Sequence, residues 1–243
     1  MPAGSIRARV RAEMIVEIKD VARRHLATDG ANLSLRAVAR DMGMVSSAIY
    51  RYFASRDDLL TALIVDAYNA VADAVESTEA AVADRDDLRG RLLAIGRAVR
   101  GWALANPAEY ALIYGSPVPG YQAPQDTTVA ALRTATVLVQ ILIDGHRSGA
   151  LRPDRPLTDR PHPDGPPADG PLPDAVRDDL RAVADGIAPG LPPQVLARGT
   201  IAWIHLFGAV SFELFGQLNN VIEAREDYFD YQMHQMADLV GLA

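Results

Sequence analysis

The side chains best placed for chemistry in this chain are cations and hydroxyls gathered between residues 34 and 56. Val45, Ile49 and Phe53 recur every four residues and are expected to face inward. That leaves Ser46, Ser47, Tyr50 and Arg51 turned outward on a short helix over about residues 46–52, with Arg36 one helix earlier and Arg56 just beyond. Hydroxyls and guanidinium forks suit hydrogen bonding to base edges and pairing with phosphates. Covalent or metal chemistry has no comparable set. His25, His146, His162, His205 and His234 lack the H-E-x-x-H spacing of a zinc site, and there is no cysteine. No G-x-S-x-G, Walker-type or dinucleotide-binding glycine pattern occurs. The acidic run Asp84, Asp86 and Asp87 reads as a solvated helix start favoured by the helix dipole. No enzymatic activity, metal or cofactor is therefore expected.

Placing such residues against a duplex needs two short helices and a tight turn held on a third. An apolar stripe through Ile15, Ile18, Val21, Ala22 and Leu26 predicts a helix over about 7–28, stopped by Asp29-Gly30. Ser34 is suited to cap a second helix whose stripe is Leu35, Val38 and Met42, and Gly43 can take the positive φ that ends it. Ser55-Arg56-Asp57-Asp58 resembles a capping box opening a long helix over about 56–76. Further helical periodicity covers about 86–105, 107–114, 126–148, 174–185, 192–222 and 226–241. Residues 151–173 carry eight of the sixteen prolines and are expected to be a disordered surface loop.

Charge divides along the same line. Residues 1–55 hold nine basic side chains against five acids, a net of +4, so the remainder carries −11 of the total −7. Apolar residues are 49 % and aromatics only 6 %, which together with the helical periodicity predicts an all-α protein rather than a β-sandwich. The expected organisation is a basic three-helix head with a basic arm (1–55), shaped to meet DNA, followed by a larger acidic helical body (56–243). No basic segment precedes an apolar run at the amino terminus, and no unbroken apolar run reaches the ~20 residues of a membrane span, so a cytoplasmic protein without membrane contact is expected.

The run Ser34-Leu35-Arg36-Ala37-Val38-Ala39-Arg40-Asp41-Met42-Gly43, then Ala48-Ile49-Tyr50-Arg51-Tyr52-Phe53, then Ser55-Arg56-Asp57-Asp58-Leu59-Leu60, resembles the helix-turn-helix signature of TetR-family transcriptional regulators. The resemblance covers about residues 10–65. It implies an all-helical homodimer that represses transcription from a double-stranded DNA operator until a small-molecule effector binds its carboxy-terminal domain. By position it implies DNA contacts from Ser34, Arg36, Ser46, Ser47, Ala48, Tyr50, Arg51, Tyr52 and Arg56. Tyr50 and Tyr52 are open to a second reading as residues half-buried against the first helix, and Arg51 to one as a solvated surface cation. Two departures from the family pattern stand out: Val45 replaces a helix-capping serine, and Ser46-Ser47 replace a lysine-glycine pair.

Further along, Trp102 to Tyr110, Tyr114 to Pro117, and Ala202 to Gly208 resemble the ligand domain of the subgroup named for a Trp-His-Gly motif, here spread over Trp203, His205 and Gly208. A mostly apolar effector pocket is expected among Trp102, Tyr110, Tyr114, His146, His205 and Phe212, each of which can equally be core. Dimerisation is expected through 192–222 and 226–241. There Gly199, Ala202, Gly208, Ala209 and Gly216 would allow close approach, and Leu206, Val210, Leu214 and Leu218 would form an apolar row. The alternative is a DNA-binding architectural protein that needs no effector.

Overall fold

The computed structural model describes residues 3–30, 33–125, 127–151 and 172–242. The chain is 75 % helical with no strand among the described residues, as an all-α fold requires. Its helices are α1 (Ala3–Asp29), α2 (Leu35–Asp41), α3 (Ser46–Ile49), α4 (Arg56–Ala80), α5 (Leu88–Ala105), α6 (Pro107–Tyr114), α7 (Thr127–Ser148), α8 (Asp174–Ile187), α9 (Pro193–Leu214) and α10 (Arg225–Val240). Of the loop expected at 151–173, residues 152–171 lie outside the described residues. Leu151 at its edge is buried and forms a bridge with Leu242.

Two compact units are formed, Met1–Ala70 with Ala103–Ala131, and Val71–Trp102 with Leu132–Ala243. The first therefore runs past residue 55. Its core is built from Ile18, Val21, Ala22 and Leu26 of α1, Leu35 and Val38 of α2, Ile49 and Phe53, and also Leu59, Leu60 and Leu63 of α4. Helix α6 packs on α1 in the same unit. Gly30 and Gly43 take the positive φ (57° and 66°) that ends α1 and begins the α2–α3 turn. Arg7, Arg9 and Arg11 lie within α1, as the helix predicted over about 7–28 has them, with all three side chains exposed.

In the second unit α9 packs on α8 and α10. Gly199 lets α9 close on α7, since a Cβ there would stand 2.4 Å from Leu142 Cδ1. Gly199 and Ala202, expected to serve a dimer, are used inside the chain, whereas Gly208 is exposed. Leu206 and Val210 are likewise core residues. The exposed apolar face of α9 lies elsewhere, through Ile204 (65 % exposed) and Phe212 (57 %), because this helix is apolar on more than one side and periodicity alone does not choose between them. Helix α9 also stops at Leu214 rather than near 222, where Gly216 (φ 80°) and Asn220 (φ 60°) turn the chain.

Buried charges brace this unit. Arg100 of α5 makes a two-pronged bond to Glu213 of α9, with both contacts at 2.8 Å, and these contacts hold the guanidinium pKa above its ordinary value despite burial. Contrary to the expectation that no segment is membrane-like, α7 and α9 are long and apolar enough to cross a bilayer by length and composition. Both tolerate a few charges in that average, and Leu138, Ile141, Leu142, Leu206 and Val210 on them are core residues.

Candidate nucleic-acid interface

The reading element is assembled from backbone geometry first. Ser34 has extended dihedrals and its Oγ accepts from the Ala37 amide at 3.5 Å, so α2 begins on a side-chain cap. The turn closes through Gly43 N–H to the Arg40 carbonyl (3.0 Å) and Met44 N–H to the Ala39 carbonyl (2.8 Å). Helix α3 has no side-chain cap, because Val45 occupies the N-cap position. Val45 is 73 % exposed, against the expectation that it faces inward. It precedes the first helical residue in extended conformation, so it does not share the inward face of Ile49. The helix is one turn long and continues as a hydrogen-bonded turn, with the Tyr52 and Phe53 amides both donating to the Ile49 carbonyl.

Two residues hold this short element down: Ile49, with no exposed surface, and Phe53, which is buried. A third brace comes from α1. Arg11 Nη1 donates to the Arg51 carbonyl at 2.8 Å and its guanidinium lies 5.3 Å from the centre of the Tyr52 ring. Tyr52 is half-buried under this contact, whereas Tyr50 is exposed. Ser46 and Ser47 are exposed and Ala48 is half-buried, so one turn presents small groups to solvent and a single large apolar residue to the core.

The arginines separate by what they already bind. Arg23 and Lys19 share Asp66 Oδ2, at 2.7 and 2.6 Å. Arg56 donates through Nε to the Leu33 carbonyl at 3.1 Å and contacts Asp57. Ser55 and Asp58 form the expected reciprocal capping box at the start of α4, Ser55 N–H to Asp58 Oδ2 at 2.9 Å and Asp58 N–H to Ser55 Oγ at 3.1 Å. Arg36 and Arg51 are exposed and have no hydrogen bond or ion pair from their side chains among the described residues. Arg7 is in the same position, near the start of the helix that the sequence predicts over about 7–28.

The residues expected to line an effector pocket are divided between the two units. Tyr110 and Tyr114 belong to the first unit, where Tyr110 has no exposed surface and Tyr114 packs 5.1 Å from it and 5.9 Å from Tyr68 between ring centres. Burial pushes the Tyr114 phenol well above its ordinary pKa, with Tyr68 and Tyr110 adding to the shift. Trp102 is half-buried at the end of the first segment of the second unit, and His146 is exposed near the end of α7. His205 and Phe212 do come together. With Gly208, Leu218 and Tyr228 they line an open groove of about 370 Å³ on α9 and α10. His205 Nε2 is buried there with no partner among the described residues. Among the described residues, Ile95, Leu138, Ala202, Leu206 and Met233 of α5, α7, α9 and α10 enclose a void of about 10 Å³.

Residues 18–63 match the profile of bacterial regulatory proteins of the tetR family, and residues 92–236, more than half the chain, match that of the tetracyclin repressor-like C-terminal domain. The chain belongs to the TetR family. Annotated relatives of this regulator include HTH-type transcriptional regulators of Mycobacterium bovis and Mycobacterium tuberculosis. Each is 42 % identical over 211 residues, covering 85 % of this chain and 83 % of the relative. The solved structure of the regulatory protein SCO4313 is 35 % identical and superposes with a TM-score of 0.72 over 99 % of this chain and all of the other. A tetR-family regulatory protein from Rhodococcus RHA1 shares the fold at 16 % identity, with a TM-score of 0.59 over 94 % of this chain and 97 % of the other. This TetR-family protein is a DNA-binding transcriptional regulator and not an enzyme.

Proposed function

We propose that this regulator is a repressor that holds a near-palindromic operator as a homodimer and leaves it when a small-molecule effector binds the carboxy-terminal body. The observation that carries the DNA contacts is the pair Arg36 and Arg51, exposed and without partners among the described residues, on either side of the exposed Ser46 and Ser47. In this reading Ser46, Ser47 and Ala48 meet base edges in the major groove, and Arg36 places its fork on a guanine edge. Arg51, Tyr50 and Arg56 meet phosphates. Ser34 and Tyr52 fix the two helices at the rim of the contact. Such a regulator works in the cytoplasm, where the chromosome lies.

The dimer is assigned to the exposed face of α9 and α10, where Ile204, Phe212, Phe215, Tyr228 and Tyr231 leave apolar surface in water. A two-fold axis would set two α3 elements one helical turn or a multiple apart, ~34–36 Å. Trp203, His205 and Gly208 on α9 support placing the body in the Trp-His-Gly subgroup, with His205 and Gly208 at the groove itself. Nuclease protection of its promoter region and light scattering at micromolar concentration test this together. A protected inverted repeat and a dimer mass are expected; a monomer or a protected site without two-fold symmetry overturns it.

The small size of the void between α5, α7, α9 and α10, about 10 Å³, favours a second reading, a DNA-binding protein that answers to no effector. Operator affinity measured across a broad set of metabolites and drugs separates the two, since release requires tighter binding to the DNA-free conformation.

A further inference from the structure

The second unit has another open space, chemically unlike the apolar groove at His205 and Phe212. Between the end of α4, the start of α5 and the middle of α7 lies a cleft of about 360 Å³ lined by Glu76, Glu79, Arg85, Arg91, Arg133 and Val137, among others. Arg91 and Glu79 line it although only 3 % and 7 % of each is exposed. Charges so deeply held are tolerated only when paired. Arg91 bonds Glu79 Oε1 at 2.6 Å and Asp144 Oδ2 at 2.8 Å. Arg85 binds the same Glu79 oxygen. Arg133 reaches from α7 to Asp73 at 2.6 Å and Glu76 at 2.7 Å.

Two features of this network choose the ligand. The first is that all the pairing of Glu79 runs through Oε1, so Oε2 of a buried carboxylate accepts nothing among the described residues while its residue lines the cleft. The second is the charge balance: Asp73, Glu76, Glu79 and Asp144 face three guanidiniums, which leaves one negative charge in excess. An anion entering the cleft would meet that excess negative charge and the outward-facing carboxylate oxygen of Glu79. A neutral apolar molecule would desolvate the charged rim without replacing its water bonds. A cation that donates hydrogen bonds fits both features.

We propose that this cleft binds a small organic cation, an amine or guanidinium carried on a short apolar body, with Glu79 Oε2 and Glu76 accepting from the head and Val137 against the body. The binding site stands independently of the repressor reading. That occupying it changes operator affinity rests on that reading, because Glu76 and Glu79 lie on α4, the helix that also contributes Leu59, Leu60 and Leu63 to the core of the DNA-binding unit.

The test is calorimetric titration of the full-length protein, without DNA, with n-hexylammonium, n-hexanol and hexanoate. Hexylammonium should saturate one site per chain and bind about tenfold or more tighter than hexanol, the gain of one or two charge-assisted hydrogen bonds, with hexanoate not saturating. Glu79→Gln should lose about tenfold. Should that variant fail to fold because Arg91 loses its buried partner, Glu76→Gln and Val137→Trp, at less buried positions, carry the test. The first should weaken hexylammonium and the second should block hexylammonium and hexanol. Equal binding of hexanol and hexylammonium, preference for hexanoate, no saturation by hexylammonium, or folded variants that bind like the parent would each overturn the site. A hexylammonium-bound protein with unchanged operator affinity would leave the site standing and remove its regulatory role.

Discussion

Replacing Ile49 with alanine should release the reading element from the core, and Ser47→Ala, two residues away, should not. Helix α3 has four residues and no side-chain cap, far below the length at which a helix sustains itself in water. Its position therefore depends on tertiary contacts, of which Ile49, with no exposed surface, is the central one. Ile49→Ala removes three carbons, worth ~2.4 kcal/mol at ~0.8 kcal/mol per carbon, and the unfilled cavity raises the total to about 2–5 kcal/mol. Urea unfolding followed by circular dichroism should show the midpoint falling by about 1 M or more. Operator affinity in a gel-shift assay should fall with it. Ser47 is exposed, so Ser47→Ala should hold stability within about 0.5 kcal/mol while changing affinity and the preferred base at one operator position. An Ile49→Ala protein less than 1 kcal/mol weaker, or a Ser47→Ala protein equally destabilised, would refute this division of the helix into an anchoring and a reading side.

Arg51→Ala should weaken binding to all DNA sequences alike and lower the salt slope by about one, whereas Arg36→Ala should cost about 1–3 kcal/mol at one preferred base; unchanged slope and footprint would count against both. Arg56→Ala should, in addition to any DNA effect, lower stability by about 1 kcal/mol through the lost bond to the Leu33 carbonyl, read by thermal melting. For the buried bridge of α5 and α9, Glu213→Leu alone should destabilise by about 3–5 kcal/mol and Arg100→Met with Glu213→Leu should recover much of it, as denaturant titration of the single and double variants would reveal. The hydrogen bond from Arg97 holds the Asp230 carboxyl below its ordinary pKa, with Coulombic attraction adding to it against some desolvation. Its contribution is thus present above the unfolded-state value near ~4 and fades as pH falls below it, so Asp230→Asn should cost about 0.5–1 kcal/mol at pH 7 and approach nothing at low acid pH in pH-dependent unfolding.

Much of the helical plan is legible because its signals are local. Ser34, Gly43, the Ser55–Asp58 box and the period of Ile18, Val21 and Leu26 each act within a turn or two of chain, and the structure uses each as its chemistry suggests. What the sequence conceals depends on partners far along the chain. Arg11 looks like a free cation until Tyr52 and the Arg51 carbonyl, some forty residues on, are brought to it. The same holds for Arg91 with Asp144 and for Arg100 with Glu213. Val45 misleads because a four-residue period is extrapolated across a helix start, where the backbone is still extended. On α9 two apolar stripes share one helix, so Leu206 and Val210 cannot be told from Ile204 and Phe212 until the rest of the unit covers one pair. Pocket residues fare worst, since Tyr110 and His146 have the right chemistry and the wrong surroundings, one sealed and the other in open water.

The division of labour within α3 also bears on how such a regulator changes over generations. Positions 46 and 47 contribute almost nothing to the core, while Ile49 and Phe53 bear the packing. Exposed positions of this kind accept most side chains at small folding cost. With positions 46 and 47 reading bases, as proposed, descendants of this gene can drift to new operators through one or two codons without first acquiring compensating stability elsewhere, and duplicated copies can part in target sequence while their bodies remain nearly alike.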